Sequence, residues 1–255
     1  MIKGVLLDLS GVLYIERTPI EGAIEALQLL QTSKIPLCFI TNTSRQTRQS
    51  ILNMLLSMGF DVSLEDIFTA STATLSYLQL HKLRPHLLIH PELISEYEYL
   101  TTEDPNAVVL GDAGNNFTYS SLNEAFRILM QDEKIPLIAM GYNRYFMESD
   151  GLSLDLGAFT CALEFASGKT AIITGKPSQD FFLQAVQQLQ CKPDEVVMVG
   201  DDIHSDVAGA MKSGLMGCLV KTGKYREGDE HQISKAPTHV ANNFVDAARW
   251  ILEKR

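Results

Sequence analysis

The chain has 255 residues, with 21 lysines and arginines against 31 aspartates and glutamates, a formal net charge of -10. A net negative surface attracts neither a nucleic-acid backbone nor an anionic bilayer, which argues against both as partners. A small anionic substrate stays open, because one bound cation and one lysine reverse the potential inside a single pocket.

Hydrophobic residues make up 45% and charged residues 20%, the balance of an ordinary globular protein. The opening run Met1 to Asp8 is too short and too soon interrupted for a secretion signal. No later stretch approaches the roughly 18 apolar residues of a membrane span. Cys38, Cys161, Cys191 and Cys218 lie far apart with no metal-binding spacing, and read as buried free thiols in a reducing cytoplasm.

Val5-Leu6-Leu7 is a continuous apolar run that stops at Asp8, the pattern of a buried parallel strand. Helical spacing follows over 20–32, then a second strand, Leu37 to Ile40, ending at Thr41-Asn42. A helix through Ile51, Leu55 and Met58 closes at Gly59, and Phe68 to Leu80 reads as a third strand and helix. The middle reads as strands at 86–90, 107–110 and 136–140, with a helix near 119–130. Residues 142–157 mix polar and aromatic side chains (Tyr142, Asn143, Arg144, Tyr145, Phe146, Asp150) and suit a loop facing a ligand. The core pattern resumes at Ala171 to Thr174, continues through a helix near 179–189 and the strand Val196 to Val199, and ends in a helix over 244–254. Strands alternating with helices at this spacing predict an α/β fold with a doubly wound parallel sheet. The middle segment reads as a smaller inserted α/β domain. The expected division is core over 1–78, insert over 79–171 and core again over 172–255.

Four strand ends carry the chemistry. Asp8, Thr41-Asn42, Lys176 and Asp201-Asp202 each follow an apolar run, and open α/β sheets bind ligands at the carboxyl ends of their strands. A carboxylate such as Asp8 can attack phosphorus and split hydrolysis into two easier displacements. Asp8 and Asp201 are the hard oxygen ligands that Mg2+ prefers. The Thr41 hydroxyl and the amide after it can donate to phosphoryl oxygens. Lys176 supplies them a point charge and pairs with Asp8 when the site is empty. Asp206 can steady Lys176 or a metal-bound water from behind.

Asp8-Leu9-Ser10-Gly11-Val12-Leu13, Thr41-Asn42, Gly175-Lys176-Pro177-Ser178 and Gly200-Asp201-Asp202 with Asp206 resemble the haloacid dehalogenase superfamily, over nearly the whole chain. The long insert resembles the α/β cap of its second cap class. Arg144-Tyr145-Phe146 to Leu156-Gly157, and Thr222 to Arg226 followed by Asp229-Glu230-His231, resemble the branch that hydrolyses phospholysine, phosphohistidine and inorganic pyrophosphate. The resemblance implies Asp8 as nucleophile and metal ligand, Ser10 as metal ligand through its carbonyl, and Asp201 as metal ligand. It also implies Thr41, Asn42 and Lys176 as phosphate contacts, a small phosphorylated substrate and a homodimer.

Most phosphatases of that superfamily carry a second aspartate two residues after the nucleophile, as general acid and base. Here Ser10 stands in its place. General acid–base assistance is worth about 10²–10⁴ in rate, and a serine hydroxyl supplies little of it near neutrality. An alkoxide leaving group needs the proton. A departing phosphate needs it less, and a phosphoramidate nitrogen can be protonated before its bond breaks. The expected bias is therefore towards P–N and P–O–P bonds, unless Tyr14, Glu16 or a residue of the insert supplies the proton.

Weaker signals have plainer readings. His86 and His90 flank a strand-like Leu87-Leu88-Ile89, Gly111 to Asn116 suits an ordinary turn, and His204 reads as a bystander. Tyr142, Asn143, Arg144 and Tyr145 are the candidates in the insert for reading the substrate, with Arg144 complementing an anionic group, and a plain surface loop is the alternative. Two rivals remain: a phosphomonoesterase acting on sugar phosphates or nucleotides, and a phosphate-binding regulator with weak turnover.

Overall fold

The run Val5-Leu6-Leu7 lies in the strand Gly4–Asp8, buried along its whole length. It is central in a six-stranded sheet ordered His239–Ala241, Met216–Val220, Val196–Gly200, Gly4–Asp8, Leu37–Thr41, Ile67–Thr69. The pairings from His239–Ala241 through Leu37–Thr41 are parallel. Alternate strand residues Val5, Leu7, Val197 and Val199 share a core cluster with Leu27 and Leu30 of helix Ala23–Thr32 and Phe244 and Ile251 of helix Phe244–Glu253. Helix Gln179–Gln188 packs on the strands Gly4–Asp8 and Leu37–Thr41. Covering both faces is what permits the unbroken apolar strands. Strand order reverses about Gly4–Asp8, which makes its carboxyl end the switch point of the sheet.

This computed structural model describes residues 1–148 and 151–255. The chain divides into two units: Met1–Thr41 with Arg48–Phe68 and Lys176–Arg255, and Asn42–Thr47 with Thr69–Gly175. The six-stranded sheet belongs to the first. The second has its own four-stranded parallel sheet, ordered Ile172–Ile173, Leu137–Ala139, Ala107–Leu110, Pro85–Leu88. Helices Ala70–Leu80, Tyr119–Leu129 and Leu156–Ser167 accompany it. Among the described residues no helix is long and apolar enough to cross a membrane.

The structure redraws three local readings. The strand at 172–173, assigned by sequence to the resumed core, pairs instead with the second sheet (Ile172 with Ile138, Ile173 with Ala139). Helix Ala70–Leu80 likewise puts Ala70 and Leu78 into the core that holds Leu88 and Val108, so the second unit runs from Thr69 rather than from 79. A short apolar run suits either sheet, and only its partner decides. The expected ligand-facing loop over 142–157 holds the antiparallel strands Tyr145–Glu148 and Gly151–Leu154 and the first turn of helix Leu156–Ser167. The period-two alternation of Leu152 and Leu154 around Ser153 is the strand signal there; Asp150 lies outside the described residues.

All four cysteines are free, but Cys161 is exposed and Cys191 half-buried, against the expectation of four buried thiols. Helix Leu156–Ser167 is apolar nearly all round, with Phe165 94% exposed, so its composition does not show which face is covered.

Candidate active site

Strand register brings the polar strand ends of the first unit together. Asp8 pairs with Ile40, so Thr41 stands one residue past it, and Leu7 pairs with Val199, which sets Asp201 just beyond the neighbouring strand. Lys176 comes not off a core strand, as its sequence context suggests, but three residues past the last strand of the second sheet. Its ammonium nevertheless lies 2.5 Å from Asp8 Oδ1 and 2.7 Å from Asp206 Oδ1. Asp8, Lys176, Asp201 and Asp206 are all buried, and the three carboxylates offer oxygens within 4.8 Å of one another.

The chain after Asp201 is what holds this cluster. Asp202 caps the turn that follows: its carboxylate accepts from the amides of His204 (3.0 Å) and Ser205 (2.9 Å), starting a π-helical turn over Ile203–Ala208. That turn carries Asp206 back to Lys176, and the Asp202 amide donates to Asp206 Oδ2 at 3.2 Å. Gly200 makes room, since a Cβ there would stand 2.3 Å from the Asp206 side chain. Asp201 Oδ2 accepts from the Lys224 amide at 2.7 Å. Gly11 and Gly223 flank the same oxygen, and a Cβ on either would lie 2.0 or 2.1 Å from it. Both have positive φ (86° and 59°), a second reason only glycine fits.

Three buried carboxylates and one buried ammonium leave a surplus of negative charge. Burial, then the charges of Asp8 and Asp206, push the Asp201 carboxyl up to about 8. Burial pushes Asp206 up to about 6, although the Lys176 charge opposes it. Burial alone would lower the Lys176 pKa, but Asp206 and Asp8 together hold it above its ordinary value. A divalent cation with hard oxygen ligands fits such a donor set. Without one, Asp201 and Asp206 keep protons in the folded chain that the unfolded chain releases near pH 4. Their contribution to stability is therefore full below about pH 4 and fades as pH rises to about 8. The metal-free protein should melt several degrees lower at pH 8 than at pH 5. Asp201→Asn should flatten that dependence in a thermal-melt series; an equally steep curve in the variant would place the titrating groups elsewhere.

The remaining expected residues are placed as follows. Ser10 is exposed and forms an isolated bridge with Tyr14. Tyr14 is buried, and that burial, then the Asp8 charge, raises its phenol far above neutrality. Glu16 is exposed, in the turn joining the paired strands Tyr14–Ile15 and Thr18–Pro19, with φ at 57°. Asn42 and Arg144 belong to the second unit, Arg144 exposed. There, Asn42 Oδ1 and the Met140 carbonyl crowd Gly175, whose Cβ would lie 2.6 and 2.2 Å from them. The loop after Asn42 is tied down within that unit: Arg45 Nε donates to Asp112 Oδ2 at 2.5 Å, the Asp112 amide donates to Ser44 Oγ, and Arg45 lies 4.6 Å over the Phe146 ring. The turn at Gly111 to Asn116 thus serves an ion pair. His86 faces Glu124, His90 caps a turn, and His204 bonds Gln232. Among the described residues, the three aspartates form the one carboxylate, histidine or cysteine group with metal-site spacing.

The chain is similar to known proteins over nearly its whole length. Residues 5–101 match the family model of haloacid dehalogenase-like hydrolases, and residues 173–247 match a HAD-hydrolase-like model. The chain is 42% identical to bovine (Bos taurus) haloacid dehalogenase-like hydrolase domain-containing protein 2, over 99% of this chain and 96% of the relative. It is 45% identical to the zebrafish (Danio rerio) phospholysine phosphohistidine inorganic pyrophosphate phosphatase, over 96% and 91%. The crystal structure of a Thermotoga maritima 4-nitrophenylphosphatase superimposes with a TM-score of 0.89 at 26% identity, covering 97% of each chain.

Proposed function

The chain belongs to the haloacid dehalogenase-like hydrolases and is a phosphohydrolase of that family, and on this footing we propose that it is a Mg2+-dependent phosphatase that uses Asp8 as nucleophile. The observation that carries the reading is the buried set of Asp8, Lys176, Asp201 and Asp206, whose negative surplus suits a metal ion and whose lysine suits a phosphoryl group.

Asp8 and Asp201, with the Ser10 carbonyl, would hold Mg2+, which supplies charge neutralisation at the transferring group. Lys176 gives up its contact with Asp8 to meet the phosphoryl oxygens and stays oriented by Asp206, 2.7 Å away. The Asp8 carboxylate then attacks phosphorus, the leaving group departs, and water hydrolyses the aspartyl-phosphate. Thr41 and Asn42 donate to the phosphoryl oxygens. The inserted unit is the cap in this reading, with Arg144 as the residue that reads an anionic substrate.

The substrate class follows from Ser10. Burial, then the Asp8 charge, raises the Tyr14 phenol far above neutrality, which makes it a weak proton donor to a departing alkoxide. With no strong acid beside Asp8 in the sequence, the enzyme favours leaving groups that need no proton from the protein. Those are phosphate from pyrophosphate and the protonated nitrogen of phospholysine or phosphohistidine. The names of relatives 40–45% identical support the same class. The test compares phosphate release from pyrophosphate, a phosphohistidine or phospholysine mimic, an aryl phosphate and two sugar phosphates. The first three should exceed the sugar phosphates by about 10² or more, and Ser10→Asp should raise sugar-phosphate turnover by about 10-fold or more. Sugar phosphates turned over as fast as pyrophosphate by the unaltered enzyme would make it a conventional phosphomonoesterase.

A further inference from the structure

The π-helical turn that carries Asp206 has an outer side, and that side lines a cavity of about 410 Å3 within the first unit. This volume lies within the usual range of small-molecule sites, roughly 300–1,000 Å3. Pro177, Ala208, Met211 and Ile233 give it apolar surface. Lys212 and Lys235 give it its charged side chains, His204 and Gln232 add polar ones, and no aspartate or glutamate lines it. On a chain with net charge -10, a lining with two lysines and no acid runs against the overall balance. Among the described residues neither Lys212 nor Lys235 makes an ion pair, so their charges are available to a ligand. His204 is linked to Gln232 at 3.2 Å, which ties the turn to the segment that brings in Ile233 and Lys235.

We propose that this cavity binds a small organic anion with an apolar body, and that the bound anion acts on the active site through the 203–208 turn. The path is short. His204 and Ala208 face the cavity from the turn whose Asp206 holds Lys176, and Pro177, also in the lining, is bonded to Lys176 itself. π-helical turns recur at functional sites, in keeping with a segment that serves two of them. A ligand wedged between this turn and the 232–235 segment shifts Asp206 relative to Lys176 and lowers turnover.

Anilinonaphthalene sulfonate, a fluorescent anion with an apolar body, is the probe. Titrated into the intact protein, it should bind saturably at one site. The double variant Lys212→Glu, Lys235→Glu should weaken that binding by at least about tenfold, with melting temperature and dye-free turnover of p-nitrophenyl phosphate unchanged. Saturating dye should slow turnover in the unaltered enzyme and not in the variant. Dye fluorescence that the variant leaves intact, as from dye on the exposed Phe165, would overturn the site, and binding without any effect on turnover would overturn the coupling. The site stands apart from the phosphohydrolase reading, since the titration is read without substrate.

Discussion

Asp8→Asn is expected to lower phosphate release by at least about 10³-fold on every substrate while leaving the protein folded. An amide has nearly the shape of the carboxylate but is no nucleophile towards phosphorus. Its neutrality also removes a negative charge from beside Asp201 and Asp206, both of which Asp8 pushes upward in pKa. Lys176 keeps its contact with Asp206 at 2.7 Å, so the buried ammonium is not stranded. The variant should therefore melt at or above the temperature of the unaltered metal-free protein, and circular dichroism beside a phosphate-release assay separates lost chemistry from lost fold. A folded variant retaining a tenth of the activity would remove Asp8 from the nucleophile's role.

Lys176→Met should damage both stability and turnover. Lys176 is 4% exposed, and its ammonium meets two of three clustered carboxylates. Removing one partner of a buried ion pair leaves an uncompensated charge, typically at a cost of about 3–5 kcal/mol. At the size of this chain that corresponds to a melting temperature lower by roughly 6–15 °C at pH 8. Part of the loss should return at pH 5, where Asp201 is protonated, and part on adding Mg2+. Turnover should fall by about 10²–10³-fold even with saturating metal, because phosphoryl charge loses its fixed cation. A variant that melts normally without metal would show that the three carboxylates do not depend on this lysine.

Much of this site was legible because its residues punctuate apolar runs. Asp8, Thr41 and Asp201 end or directly follow buried strands, and it is their convergence at the edge where open α/β sheets bind ligands, rather than any one of them, that marks a site. Lys176 was legible for a less direct reason: its Gly-Lys-Pro setting marks a turn, while the strand before it belongs to the other sheet. Contacts between distant segments were not legible. Gly11 and Gly223 meet at Asp201 across more than two hundred residues, and no periodicity reports such an approach. The Arg45 pairing with Asp112 is hidden for the same reason, since each residue alone looks like part of a polar loop. The π-helical turn after Asp202 escaped because its signal, a capping aspartate before a mixed polar and apolar run, is shared with ordinary helices.

The most direct test of Asp8 as nucleophile is chemical trapping of its phosphorylated form. Borohydride added during turnover of pyrophosphate with Mg2+ should reduce an acyl phosphate at residue 8 to homoserine, read by peptide mass spectrometry and absent in Asp8→Asn. Turnover that proceeds with residue 8 unmodified, or with the label on another residue, would contradict it.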